Sequence, residues 1–418
     1  MMYFNGQYSC ITCEDQGKTV KQGKGTARCF PNRNGQHVLR TDMNVLECLE
    51  NGTVTKPVKG FKGISGLTFL ESFNLVGGII PDYMHGVLLG VTSMLLKKWF
   101  SPTNANKEYF IGKSLKTISS RLQHIKPPSS IERLPRDLEK HYKSLKATEL
   151  QAWLLYYGVP CLFGILPDTY LNHFSNLSEA TFILLGDSIT TEKLDRAESL
   201  LAKFYASFEG LYGSGSCGLN VHNTCVHLIH YVKLWGPLWA WSCFAFEDNN
   251  AVLLQSVHGT GIVTKQVMLC KQIEATLRRK SVNVIESRIW KITYKANNCD
   301  VCGKLISFEN FEGDTICPDL PEKLEVGTDG QDGYVKYYAL VVNSDTVYAI
   351  LDKYEIVNDS PISNLEGGKH IVPVRKMDCE DIKPADKLTE TLVYVKTCPE
   401  VEECIVMMPS RHGHEVFK

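Results

Sequence analysis

The sequence predicts an α+β protein, on three observations. A glycine-rich opening carries short β-prone pieces. From Asp82 apolar residues recur every three or four positions, as helices require. Beyond Ser281 alternating strand patterns replace them. The division that follows is 1–81 (irregular strand and loop), 82–280 (helical) and 281–418 (β-rich).

In the first segment, QHVLRT and GTVTKPVKGF read as short extended pieces between turns rather than as helices. In the second, Met84, Val87, Leu88, Val91, Leu95 and Trp99 form one helical stripe, with Asp82 after Pro81 as its N-cap. Pro127 and Pro128 mark a loop. Helical pieces follow in KATELQAWLLYYGVP, LSEATFILLGDSI and TEKLDRAESLLAKFYASFEGLYG, the last with Leu194, Ala197, Leu200, Leu201, Phe204 and Phe208 on one face. The final helical stretch is HNTCVHLIHYVKLWGPLWAWSCFAFE. In the third segment VKYYALVV, TVYAILDKYEIV, KHIVPVRKM and ETLVYVKT alternate as strands do, separated by Gly, Asn, Asp and Pro.

The 45 basic and 46 acidic residues of the 418 nearly cancel, so any nucleic-acid contact has to come from a local patch. Neither a secretory leader nor an apolar run of spanning length is evident, which argues for an intracellular protein, nuclear or cytoplasmic, without a membrane segment. In such a compartment the 15 cysteines are core thiols and metal ligands, and Asn51 and Asn176 head glycosylation triplets by coincidence. GKGTAR lacks the spacing and terminal Lys-Ser/Thr of a phosphate loop, and no serine nucleophile elbow is found. Cys225, between histidines on a helix, is a poor nucleophile.

Cys10-x2-Cys13 is half a zinc site or a pair of reduced thiols. His222 and His227 are candidates for the missing ligands or a buried core pair, with Cys225 and His230 as rival ligands. Glu247 lies beyond a tryptophan-rich run, where Trp239, Trp241, Phe244 and Phe246 are expected to bury its surroundings; the plainer reading puts it on a solvated helix edge. A second pair, Cys299-x2-Cys302, suggests a further metal site with Cys317 and Cys379, or loop thiols. Arg133, Arg136, Lys140, Lys143 and Lys146, with Arg278, Arg279 and Lys280, are candidates for phosphate contact or for a solvated helix face.

Taken in order, PDYMHGVLLGVTSMLLKKW, KATELQAWLLYYGVP with LPDTYLNHFSNLSEATFILL, and NVHNTCVHLIHYVKLWGPLWAWSCFAFEDNN resemble the transposases of CACTA-type elements over roughly residues 1–270. That resemblance implies an RNase H-like DDE catalytic domain carrying a large helical insertion and followed by a small β-rich domain. It implies zinc on Cys10, Cys13, His222 and His227, Glu247 as the last acid of the triad, and Asp82 and His85 as a catalytic Asp-x2-His signature. DNA at transposon ends is the implied partner, with a homodimer or other protein partners beside it, and Mg²⁺ or Mn²⁺ the ions of a complete enzyme. The family's first two aspartates precede its Cys-x2-Cys, whereas nine residues, none acidic, precede Cys10. The chain is therefore expected to be an N-terminally truncated relative, a transposase-derived protein that does not cut or join DNA alone. The alternative is a host-retained, non-enzymatic scaffold that binds DNA or protein.

Overall fold

A computed structural model describes residues 5–33, 37–125, 127, 131, 133–259 and 261–281, then the strands named below with the connecting segment 357 and 360–370; beyond 273, side chains are described for 357, 360–375 and 404. Among the described residues helix outweighs strand, so the coarse class is α+β. The opening is more regular than its sequence suggests. A hairpin of β1 (Lys18–Gln22) and β2 (Gly25–Cys29) turns at Gly23, whose φ of 57° suits a residue without a Cβ. A helix, α1 (Asp42–Asn51), follows Thr41, whose hydroxyl accepts from the Asn44 amide at 3.2 Å. The two pieces expected to be extended contribute only isolated bridges, Cys13 to Leu39 and Val58 to Phe61. Between them, the cap at Thr41 and the small apolar cluster of Val45, Cys48, Leu49, Phe61, Leu75 and Val76 hold α1.

The helical region starts with a π-helical stretch, Met84–Thr92, which runs directly into α2 (Ser93–Phe100). Short helices follow: α3 (Leu115–Gln123), α4 (Leu138–His141), α5 (Ala147–Ala152) and α6 (Gly158–Leu162). Two long ones, α7 (Asp168–Leu184) and α8 (Thr191–Tyr212), pack against each other. Then come α9 (Leu219–His222), a π-helical turn Asn223–His227, α10 (Leu228–Trp235), α11 (Phe244–Gln255) and α12 (Val263–Ser281). The expected stripe of α8 is buried at Ala197, Leu200, Leu201, Phe204 and Phe208, with Leu194 partly buried at its edge. It closes a core built on Trp99, Trp153, Phe174 and Phe208, whose burial is the main stabilising term.

Strands dominate the C-terminal part. After the short pairs β3 (Ala296–Cys299) with β4 (Gly303–Ile306) and β5 (Phe308–Glu309) with β6 (Thr315–Ile316) come six strands. These are β7 (Leu324–Gly327), β8 (Asp332–Val341), β9 (Thr346–Ile356), β10 (Ile371–Pro384), β11 (Leu388–Lys396) and β12 (Glu403–Met407). They close as an antiparallel barrel in the order β10, β12, β11, β7, β8, β9, which leaves no open edge. A strap preceding β10 joins it to the helices: Ile362, Leu365 and Ile371 enter the main core, and Cys404 of β12 joins them. On this strap the Glu366 amide donates to Asn172 Oδ1 at 2.9 Å, and Arg196 donates to the Glu366 carbonyl at 2.6 Å. Gly367 lies so close to the Ser175 backbone that a Cβ would sit 2.5 Å from it.

Candidate metal centre and the neighbouring acid and histidine cluster

Cys10 and Cys13 lie in the loop before β1, and His222 and His227 more than 200 positions later, yet all four are fully buried and their ligand atoms lie within 4.8 Å of one another. Cys10 Sγ is 3.3 Å from His227 Nε2, Cys13 Sγ is 3.3 Å from His222 Nε2, and the two Nε2 atoms are 3.0 Å apart. A tetrahedral zinc with ordinary bond lengths has S···N edges of about 3.6 Å and N···N edges of about 3.3 Å. The four groups therefore need to spread by only a few tenths of an ångström to hold a metal such as zinc.

The local backbone explains how the histidines converge. On a regular α-helix two residues five apart sit roughly 140° from each other around the axis. The π-helical turn between them widens each turn and brings both rings to one side. Cys225 and His230 are left out: neither belongs to the cluster, and burial pushes the Cys225 thiol up.

The surroundings favour metal-binding forms of the ligands. The Cys13 thiol, donating to Cys10, holds Cys10 well below the ordinary thiol value, with further help from His222 and His227, and the same pairing pushes Cys13 up. A metal bound by these thiols would replace their protons. Burial keeps His227 neutral by lowering its pKa. Tyr205 donates to the Phe30 carbonyl at 2.6 Å, so its oxygen accepts from His222 Nδ1 at 3.5 Å and leaves the Nε2 lone pair facing the thiols. His227 Nδ1 has no partner among the described residues.

Two features of this centre escape sequence reasoning. Arg40, itself buried, donates from Nε to the carbonyls of Cys10 (3.2 Å) and Cys13 (2.9 Å) and from Nη2 to that of Lys59 (3.0 Å), with its guanidinium over the Phe61 ring. Asp15 and His37 pack beside His222, Asp15 Oδ2 lying 3.4 Å from His37 Nδ1 and Oδ1 3.1 Å from Arg33 Nη2. Burial acts to raise the Asp15 pKa, but His37, the Gly17 amide and Arg33 outweigh it and hold the carboxylate below its usual value. An arginine 27 residues from the knuckle has no sequence signature.

Asp82, His85 and Glu247 also come together. Asp82 Oδ2 accepts from the His85 amide at 2.8 Å and from His85 Nδ1 at 2.6 Å, and Oδ1 accepts from the Cys243 amide at 2.9 Å at the start of α11. His85 Nε2 lies 3.9 Å from Glu247 Oε1. Asp82 is thus the expected cap of its own helix and also fixes the first turn of α11. The surroundings of Glu247 differ from expectation. Its side chain is 57% exposed, α11 has no buried residue, and Trp239 and Phe246 are exposed. The turn of Leu238–Trp241 points Leu238 inward and leaves Trp239 exposed, while Trp241 and Phe244 are half-buried against the main core rather than over Glu247.

Of the basic candidates, Arg136 pairs with Glu149 and Lys140 with Asp137. The side chains of Arg278, Arg279 and Lys280 lie outside the described residues, as do Cys302, Cys317 and the side chains of Cys299 and Cys379. Among the described residues no helix is long and apolar enough to cross a membrane. Compared with protein-family models, with curated proteins and with solved structures, the chain matches none.

Proposed function

We propose that this is a transposase-derived protein of RNase H-like descent, pinned by zinc on Cys10, Cys13, His222 and His227, that binds DNA. The observation that carries the reading is the convergence of two separate residue sets from distant parts of the chain: the buried Cys2His2 group, and Asp82 with His85 and Glu247 on the adjoining surface.

The two sets are connected physically. A metal at the first ties the N-terminal knuckle to the helix that runs through α10 toward α11, and α11 presents Glu247 to His85. With Nδ1 donating to Asp82, the His85 Nε2 lone pair is available to ligate a cation beside Glu247. Two-metal phosphodiester transfer needs carboxylates that bridge both ions. Asp82 forms a candidate ligand group with His85 and Cys243, and Glu247 lies outside that group, so the two carboxylates do not share one ion site here. The reading is therefore DNA binding without strand cutting.

A strand-transfer assay with Mg²⁺ or Mn²⁺ tests it, using duplex DNA and the Glu247→Gln variant. Retained DNA binding with no joined or nicked product is expected; products that disappear in Glu247→Gln overturn the non-catalytic part. The alternative, a protein-binding scaffold, is favoured by one observation: Phe246, Leu254, Met268 and Leu269 of α11 and α12 are all more than half exposed. Failure to bind DNA at low salt decides for that alternative.

A further inference from the structure

Residues 16–41 contain Lys18, Lys21, Lys24, Arg28, Arg33 and Arg40 and no carboxylate, a local excess in a chain whose charges nearly cancel overall. The structure divides these cations by task. Arg40 and Arg33 are committed to the knuckle carbonyls and to Asp15, and Arg28 Nη1 donates to the Gly17 carbonyl at 3.4 Å. Lys18, Lys21 and Lys24 are exposed on the β1–β2 ribbon, and no ion pair holds them among the described residues. Register places Val20 opposite Ala27 on the face packed against the core, so Lys21 and Thr26 face outward, with Lys24 at the tip and Lys18, on Val20's face, exposed at the base of the ribbon.

A second feature adjoins the ribbon. Gln22, Ala27 and Arg28 form one wall of a cleft of about 450 Å³, and Gly90 and Asn220 part of the other. Glycine at position 90 lets the Asn220 amide pack against the helix, since a Cβ there would lie 2.5 Å from Asn220 Nδ2. Gly90 also belongs to the π-helical stretch that carries His85, so the cleft opens along the element that leads to Asp82 and Glu247.

We propose that the β1–β2 ribbon and this cleft grip duplex DNA, the ribbon lysines neutralising backbone phosphates and the side-chain amides of Gln22 and Asn220 meeting the strand that runs toward His85. The inference rests on the reading of the chain as a DNA-binding protein and names the site. A two-stranded ribbon fits the major groove of B-form DNA, which is about 12 Å wide. The narrow major groove of A-form RNA does not admit it.

The test is fluorescence anisotropy of the full chain with a labelled 30-base-pair DNA at several salt concentrations. It compares wild type, the Lys18→Gln, Lys21→Gln, Lys24→Gln triple variant, the tip variant Lys24→Glu, and a Lys116→Gln, Lys193→Gln control. Because the three lysines are exposed, the variants keep the far-ultraviolet circular dichroism and melting of wild type. In the triple variant the slope of log K against log salt is expected to fall by about 3 in magnitude, one unit for each phosphate no longer neutralised, with affinity down on the order of tenfold or more at 0.1 M salt. Lys24→Glu is expected to weaken binding and the control to leave it unchanged. Wild-type binding that the triple variant reproduces overturns the ribbon site and leaves DNA binding by the chain intact. Tighter binding of the corresponding RNA duplex overturns the ribbon-in-groove geometry, and no binding at 0.05 M salt overturns both readings.

Discussion

The Nε–H of Arg40 donates to the carbonyl oxygen of Cys13 at 2.9 Å, so a buried guanidinium holds the backbone of the knuckle whose thiols face the two histidines. The side chain that shapes the knuckle is therefore not one of its candidate ligands. Replacing Arg40 by Met keeps much of the volume but leaves the Cys10 and Cys13 carbonyls unpaired in the interior. At roughly 1–3 kcal/mol for each unsatisfied group, a loss of at least about 2 kcal/mol is expected. Urea unfolding measures it, and an unchanged midpoint refutes the role given to Arg40. Among variants that fold, a weakened zinc affinity and an altered visible spectrum of the cobalt-substituted protein are expected.

Metal analysis of the purified protein is expected to give about one zinc per chain. Cys13→Ala and His227→Ala each remove a ligand of a closed, buried set and are expected to lose both the metal and cooperative folding, because structural zinc sites supply about 10–16 kcal/mol in small domains. Folded, metal-free wild-type protein returns all four side chains to the role of core residues.

Asp82 is expected to contribute to stability independently of any chemistry at Glu247. Asp82→Ala removes the acceptor for the His85 amide and for the first turn of α11. The loss of two caps is expected to cost about 1–3 kcal/mol. Glu247→Gln, at an exposed position, is expected to leave the thermal midpoint within a degree or two. Equal destabilisation by the two variants contradicts this separation.

Acid is expected to weaken the fold before most carboxylates titrate. Burial pushes His173 and His370 down to about 4, from an ordinary 6.5. Between these values the unfolded chain binds protons that the folded chain does not, so stability falls as pH drops from about 6.5 to about 4, by at most about 3 kcal/mol for each histidine. His370 stacks on Phe182 and donates from Nε2 to the Leu155 carbonyl at 2.9 Å, so its protonation loosens the strap that ties the barrel to α7. Denaturation midpoints at pH 7 and pH 4.5 check the direction; a midpoint that rises in acid is incompatible with it.

The strap itself has a steric test. Gly367→Ala places a Cβ against the Ser175 backbone and is expected to displace the segment, exposing Ile362 and Leu365 to proteolysis while α8 stays protected. Gly236→Ala, at the positive-φ residue ending α10, is the control: it strains a turn without touching the strap.

The residue types of the candidate centre were legible in the sequence because zinc ligation restricts chemistry: Cys-x2-Cys forms a local knuckle, and imidazoles complete it. The helical middle and the strands after 281 were legible because burial imposes periods of 3.6 and 2. The helix α1 was not, because a single cap at Thr41 and a small apolar cluster hold it. For Glu247 the sequence left a buried and a solvated position open, and the structure has the solvated one, because Trp239 and Phe246 turn outward instead of covering it.

By itself, then, the chain's order of residues determined which groups are able to ligate, cap and pack, since those properties belong to side chains and their near neighbours. Only the tertiary structure decided which of them meet. The π-helical turn rotates His222 and His227 onto one side, Arg40 reaches back to the knuckle, and Asp82 joins two helices 161 positions apart. Each of these depends on contacts between segments distant in sequence, whose free energy comes from burial and hydrogen bonding that local pattern does not encode.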